Sequence, residues 1–240
     1  MRALPARQSA TVAAEHALRD AILSGELAAG DRLPPERELS AKLGVSRLTL
    51  RAALATLSAT GLLAVRQGSG YTVRDMRETG GSDLLPGLLE LAAVRGQRED
   101  TVADLLRLRR HLAAAVLDAL AERHPPAAAR RAVHAAVEAF EATVATRKLE
   151  AIAAADLEVV RALLDATSSM VLRVCLNPIV ALVTGDARLR AAMYAEPTTN
   201  VTGWRTLLAW LDRPTAAAIP VLVGVLAERD RTTLRRLRSR

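Results

Sequence analysis

The apolar residues of this chain follow a helical period along most of its length, and between Gly61 and Val73 the spacing drops to about two. Leu62-Leu-Ala-Val-Arg66 and Tyr71-Thr-Val73 read as short strands, with Gln67-Gly-Ser-Gly70 as the tight turn of one hairpin. Composition agrees with so small a share of β structure. Half of the 240 residues are apolar, Ala and Leu carry most of that half, and the aromatics are Tyr71, Phe140, Tyr194, Trp204 and Trp210. Sandwiches and barrels, which draw on aromatic and β-branched residues, are disfavoured. The expected fold is mostly α, with one hairpin near the N-terminal third.

Ahead of the hairpin the spacing predicts three helices. The first runs over Val12 to Ser24, with apolar residues at Val12, Ala13, Leu18, Ile22 and Leu23, and Gly25 and Gly30 stop it. Pro35 is placed in the first turn of a short helix over Glu36 to Leu43, where Glu36 suits the positive end of the helix dipole. Gly44 supplies a left-handed turn and Ser46 caps a third helix, Arg47 to Thr60, whose buried stripe is Leu50, Leu54 and Leu57. Two short helices about a glycine turn make a helix-turn-helix. The polar run DMRETGGSD at 75–83 breaks both periods. It divides the chain into a domain over 1–76, a linker over 77–82 and a helical domain over 83–240.

The second part reads as successive helices separated by Gly96, His124-Pro-Pro126, Thr167-Ser-Ser169, Gly185 and Asp212-Arg-Pro-Thr215. Pro178 predicts a break or kink near Asn177 within the segment Met170 to Val183. The last helix is expected from about Ala216 to Arg236 despite Pro220. No internal repeat is present.

Several functions are disfavoured by what these residues can do. The single Cys175 cannot form an intramolecular disulfide or a cysteine-cluster metal site, which fits a reducing compartment. The longest apolar run, Ala216 to Ala227, falls short of the roughly 20 residues a membrane span needs, and the N-terminal residues lack the apolar centre of a signal peptide. A cytoplasmic protein is the expectation. No phosphate loop, no Ser-His-Asp or Cys-His arrangement and no dinucleotide glycine pattern is found, so no catalytic residues are assigned. His16, His111, His124 and His134 are never four apart, and no metal is expected from them.

Charge points to a partner. Residues 37–77 carry seven Lys or Arg against two Asp or Glu, and such an excess on a small domain is the usual footprint of phosphate binding. Arg47, Thr49 and Arg51 follow the Ser46 cap on the face opposite the leucines, a placement that suits a helix lying in a DNA major groove, although a solvated face has the same pattern. The glycine-rich tip after Arg66 would let a wing approach the duplex backbone closely.

The run Ser24-Gly-Glu-Leu-Ala-Ala-Gly-Asp-Arg-Leu-Pro-Pro-Glu-Arg-Glu-Leu-Ser40, with Leu43-Gly-Val-Ser-Arg47, Leu50-Arg-Ala-Ala-Leu54, Gly61-Leu-Leu and Arg66-Gln-Gly-Ser-Gly70, resembles the winged helix-turn-helix of the GntR family of bacterial transcription regulators. The resemblance implies that Arg37, Ser46, Arg47, Thr49 and Arg51, with Gln67 and Gly68 in the wing, meet operator DNA. Leu48 stands where the family usually has a small or polar residue, and a thymine methyl is its expected partner. Residues 83–238 resemble, through Leu105-Leu-Arg-Leu-Arg-Arg110, Asp156-Leu-Glu-Val-Val-Arg-Ala-Leu163 and the last two helices, the all-helical FCD domain of the FadR subfamily, which binds effectors and pairs subunits. Many such domains hold a metal through an Asp and three His. Here the Asp is Asp156, while the other positions read Val160, Trp204 and approximately Leu226, so the metal site looks erased.

Arg109 is the expected grip for an anionic effector, with Asp156 and Trp204 beside it; a surface arginine or an intrahelical pair is the plainer reading of Arg109, and Asp156 is equally open to being a leftover or a partner for Arg161. Cys175 is expected to be a small buried residue. The whole then reads as a homodimeric operator-binding regulator, most often a repressor in this family, that responds to a small organic acid or acyl-type molecule. The alternative is an architectural DNA-binding dimer blind to ligands.

Overall fold

The structure is a computed structural model that describes residues 6–66 and 70–239. Two compact units divide the chain, Met1–Arg98 and Glu99–Arg240.

The first unit opens with α1 (Ala6–Ser24), which buries Ala14, Leu18 and Ile22 at steps of four, while Val12 and Ala13 face solvent. α2 (Glu36–Lys42) starts one residue later than the first-turn proline required: Pro35 sits just outside, and its carbonyl accepts the N–H groups of Glu38 and Leu39. α3 (Arg47–Ala59) is capped as its sequence demands, the Ser46 hydroxyl accepting the Thr49 N–H at 3.1 Å. Its inward face is Leu50, Ala53, Leu54 and Leu57. Each leucine buried to this degree contributes about 1.5–3 kcal/mol of transfer free energy, so the stripe alone fixes which face of α3 is left for solvent.

The hairpin pairs β1 (Leu63–Arg66) with β2 (Gly70–Val73) antiparallel, in the register Leu63 to Val73 and Val65 to Tyr71. A third segment joins it. Gly30 and Leu33 donate their N–H groups to the carbonyls of Val73 and Tyr71, and Val73 donates back to Asp31, which ties the loop before α2 to the outer edge of β2. The strand spacing could not announce this pairing, because residues 30–33 hold too few apolar side chains to show a period.

The segment read as a linker is built into this unit. α4 (Met76–Thr79) is capped by Asp75, and the Thr79 hydroxyl donates to the Gly61 carbonyl at 2.8 Å. Gly61 has φ +78, and a Cβ there would lie 2.5 Å from the Thr79 carbonyl oxygen, so the close pass of α4 over the hairpin requires glycine on two counts. After a 3-10 turn at Ser82–Leu84, α5 (Leu85–Val94) packs on α1 closely enough that a Cβ on Gly87 would meet Leu23 at 2.8 Å. Leu84 joins the core of Leu18, Ile22, Leu39, Leu50, Leu54 and Leu57. The chain divides near residue 98 and not at the expected 77–82, and Leu84, Leu89 and Ala92 are buried within the first unit.

The second unit is all helical: α6 (Arg98–Arg123), α7 (Ala127–Val144), α8 (Leu149–Thr167), α9 (Met170–Gly185), α10 (Ala187–Met193), α11 (Pro197–Leu211) and α12 (Ile219–Arg238). α7 and α8 form a close antiparallel pair around Val133, Val137, Phe140, Ile152 and Val159, all essentially inaccessible to water. α9 runs through Pro178 as one helix, so of the break or kink expected there the break does not occur. Pro220 falls in the first turn of α12, where a missing N–H leaves no bond unmade, so it starts the helix and does not interrupt it. Among the described residues no single helix is long and apolar enough to cross a membrane.

Candidate functional site

Two places in the molecule collect the residues singled out from the sequence. In the first unit, Arg37 on α2 and Ser46, Arg47, Leu48 and Arg51 around the start of α3 are all exposed, and Leu48 keeps 63% of its surface although it is apolar. Arg47 has solvent in front of it. Arg51 leans back to α2, its Nε donating to Glu36 Oε2 at 2.7 Å, so it braces the two helices of the turn as well as facing outward. That hydrogen bond, and then the nearby carboxylate charge, holds the Arg51 guanidinium above its ordinary pKa.

Thr49 departs from the expected reading. Only 6% of it is exposed, and its hydroxyl shares a 2.8 Å hydrogen bond with the Ser46 hydroxyl. Position N3 of a capped helix turns its side chain back over the cap, so Thr49 belongs to the structure of the turn and presents no surface to a partner. Gln67 and Gly68 lie outside the described residues. Arg32, exposed beside the hairpin and bridged to Thr72, was not singled out and carries another positive charge to this end of the unit.

In the second unit, α6, α8, α9, α11 and α12 line a cavity of about 160 Å³ that is partly open to solvent. Val160, Trp204 and Leu226 line it together with Asp156, so positions scattered over seventy residues of sequence surround one space. Most of the wall is Leu and Val. Its polar end is built from Asp156, Tyr194, Trp204, Arg109 and Arg229. Asp156 Oδ2 accepts the Tyr194 hydroxyl at 2.8 Å, and Oδ1 accepts the Trp204 indole N–H at 2.6 Å. Burial, then the adjoining Asp156 charge, pushes the Tyr194 hydroxyl far above the usual tyrosine range, so it stays a donor. Arg161 does not reach Asp156; it pairs with Glu158 on its own helix.

Arg109 lines the cavity yet is held from behind. Its Nη2 and the Nη1 of Arg110 each grip one oxygen of Asp230, at 2.6 and 2.7 Å, with only 4% of the Asp230 side chain exposed. The Nε of Arg109 is buried without a hydrogen-bond partner among the described residues. Arg229 was not singled out from the sequence. Burial pulls its pKa down against the attraction of Asp156, and among the described residues no carboxylate comes within ion-pair distance of its guanidinium. The signal was there: Leu222, Leu226 and Arg229 share the helical spacing of four and three, so an arginine interrupts an otherwise apolar stripe.

A metal does not fit this arrangement. Among the described residues Asp156 is the one carboxylate that lines the cavity, both of its oxygens are taken by O–H and N–H donors, and no three His, Cys, Asp or Glu side chains converge. Of the histidines, His134 faces Asp212 at 3.2 Å on the exterior. Cys175, expected to be buried, is exposed on α9 in line with the bare Val171 and Val174.

Comparison with known proteins bears on the whole arrangement. A family model described as bacterial regulatory proteins, gntR family, matches residues 10–73. The fatty acid metabolism regulator protein of Edwardsiella ictaluri is 32% identical over 183 residues, which cover 75% of this chain and 72% of that protein. The chain belongs to the GntR family. HTH-type transcriptional regulator Mce2R of Mycobacterium tuberculosis is 56% identical, but over 68 residues that make up 28% of each chain. Lar, described as controlling expression of the Listeria monocytogenes agr system, gives a TM-score of 0.59 at 16% identity, covering 100% of this chain and 99% of its own. Streptococcus agalactiae GntR gives 0.50 at 21% identity over 92% and 99%. At such identities these structures speak for the fold, a winged helix-turn-helix followed by helices, as expected from the spacing. The family and the relatives named here are transcription regulators and not enzymes.

Proposed function

We propose that this GntR protein is a sequence-specific DNA-binding transcription regulator that acts as a homodimer on a palindromic operator, most simply as a repressor. The observation that carries the reading is α3, rigidly capped at Ser46, buried along its leucine face and bare at Arg47 and Leu48. A helix so held can enter a major groove at its N-terminal end, where a guanidinium forks onto guanine and an apolar side chain meets a thymine methyl. Arg37, Arg51, Gln67 and Gly68 would then serve the phosphates and the wing contact. Two copies related by a two-fold would read inverted half-sites.

The second unit is proposed to pair the subunits and to admit a small organic acid or acyl-type effector, without a metal, into the cavity between α6, α8, α9, α11 and α12. Such a ligand shifts DNA affinity only by the difference in its own affinity for the DNA-competent and incompetent arrangements. The test is selection of genomic fragments by the purified full-length chain, followed by native mass spectrometry of the selected complex. Enrichment of an inverted repeat bound by two chains is expected. Uniform retention of all fragments, with an affinity set by salt alone, would instead mark an architectural binder.

A further inference from the structure

The polar end of the cavity is out of electrical balance. Asp230 is matched by Arg109 and Arg110 together, Asp156 spends its oxygens on Tyr194 and Trp204, and Arg229 stands nearby with no carboxylate in ion-pair contact among the described residues. Three guanidinium groups face two buried carboxylates, which leaves one positive charge in excess where water reaches only in part. A buried charge without a partner is costly, and a ligand that brings one negative charge relieves that cost. The unpartnered Nε of Arg109 supplies a further donor at the same end.

Size narrows the choice. The cavity of about 160 Å³ is close to the roughly 150 Å³ space that takes up a benzene ring in an apolar protein core. A long acyl chain or a bulky polyanionic carrier exceeds that volume. A phosphate monoester brings up to about two negative charges and overshoots the balance.

We propose that this cavity binds a compact monocarboxylate, of no more than about ten non-hydrogen atoms, whose carboxylate rests on Arg229 and on Nε of Arg109 while its apolar body lies among the leucines and valines. The proposal rests on the effector reading above and names the class of molecule. It also makes Arg229 a fixed positive charge that selects an anion, supplied by the chain itself.

The experiment is calorimetric titration of the full-length protein, treated with EDTA, using octanoate, benzoate, octan-1-ol, palmitate, and citrate with Mn²⁺. Octanoate or benzoate is expected to bind without metal, at least tenfold more tightly than octan-1-ol. Arg229→Met, close in volume, is expected to remove that preference and to raise the melting temperature of the unliganded protein; Arg229→Lys should retain part of the preference. Equal binding of octanoate and octan-1-ol overturns the role of Arg229, tighter binding of palmitate overturns the size class, and binding of citrate only with Mn²⁺ overturns the metal-free site. In each of those cases the effector reading stands. If no compound binds a protein that still melts in one sharp transition, the effector reading falls with the proposal.

Discussion

Arg51 with Glu36 and Arg109 with Asp230 are the same chemical pair at nearly the same distance, 2.7 and 2.6 Å, and they do different things because of where they sit. The first lies in solvent at the helix-turn-helix, where water and salt screen it and long side chains resist being held. The second joins α6 to α12 with only 4% of its carboxylate exposed. An exposed pair can be exchanged for contacts with DNA phosphates at little loss. A buried one cannot be opened unless something replaces it, which is why the first region suits a surface reader and the second suits a built-in clasp.

The largest effect expected from breaking this comparison is at Asp230. Asp230→Ala leaves two arginines without their acceptor and should cost about 3–5 kcal/mol of stability, read by urea unfolding of the full chain. Glu36→Gln should leave the unfolding midpoint where it is. A small loss at Asp230, no greater than that at Glu36, would show that water reaches the clasp and that the two pairs are alike.

Next in size is Tyr194→Phe. The hydroxyl donates to a carboxylate, a bond worth about 1.5–3 kcal/mol, and its loss should lower stability by that order. The variant also carries a pH test. The tyrosine is raised in the folded protein from its ordinary value near 10, so its contribution is fully present below that pH and is lost as the unfolded chain ionises above it. Wild-type stability should therefore fall above about pH 10, and Tyr194→Phe should flatten that limb. Parallel alkaline curves for the two proteins would mean that Tyr194 already ionises freely in the fold.

The two regions also differ in how far the sequence discloses them. α3, its cap and its leucine stripe occupy fourteen consecutive residues, and a period of 3.6 with Ser46 at one end leaves few alternatives. The resemblance of 10–73 to a known family added the identity of the exposed side chains. The cavity instead draws Arg109, Asp156, Tyr194, Trp204 and Arg229 from five different places in the chain. Their meeting depends on how helices pack, which no local pattern encodes. Asp156 and Trp204 were placed through the resemblance, while Asp230 and Arg229 were missed because a charged residue late in a helix reads as solvated. α5 was misassigned for a related reason: the polar run before it resembles a linker, and only the burial of Leu84 and the close seat of Gly87 on α1 show that the first unit continues past it.

At the DNA face, Arg47→Ala should remove about 1–3 kcal/mol from specific binding while leaving stability unchanged, measured as the ratio of operator to random-sequence affinity at fixed salt. An unchanged ratio with a weaker affinity for both sequences would reassign Arg47 to the phosphates.

The smallest effect separates structure from reading at one atom. Ser46 was singled out as a DNA contact, yet its hydroxyl already accepts the Thr49 N–H and bonds the Thr49 hydroxyl. Ser46→Ala should therefore cost about 1 kcal/mol of stability through the lost cap. Ser46→Asp keeps a capping oxygen, so stability should hold, while the new negative charge at the leading turn repels phosphate and steepens the loss of DNA affinity at low salt. If Ser46→Asp binds the operator as well as wild type, that end of α3 does not approach the duplex backbone, and the groove must be entered from Arg51 and the wing.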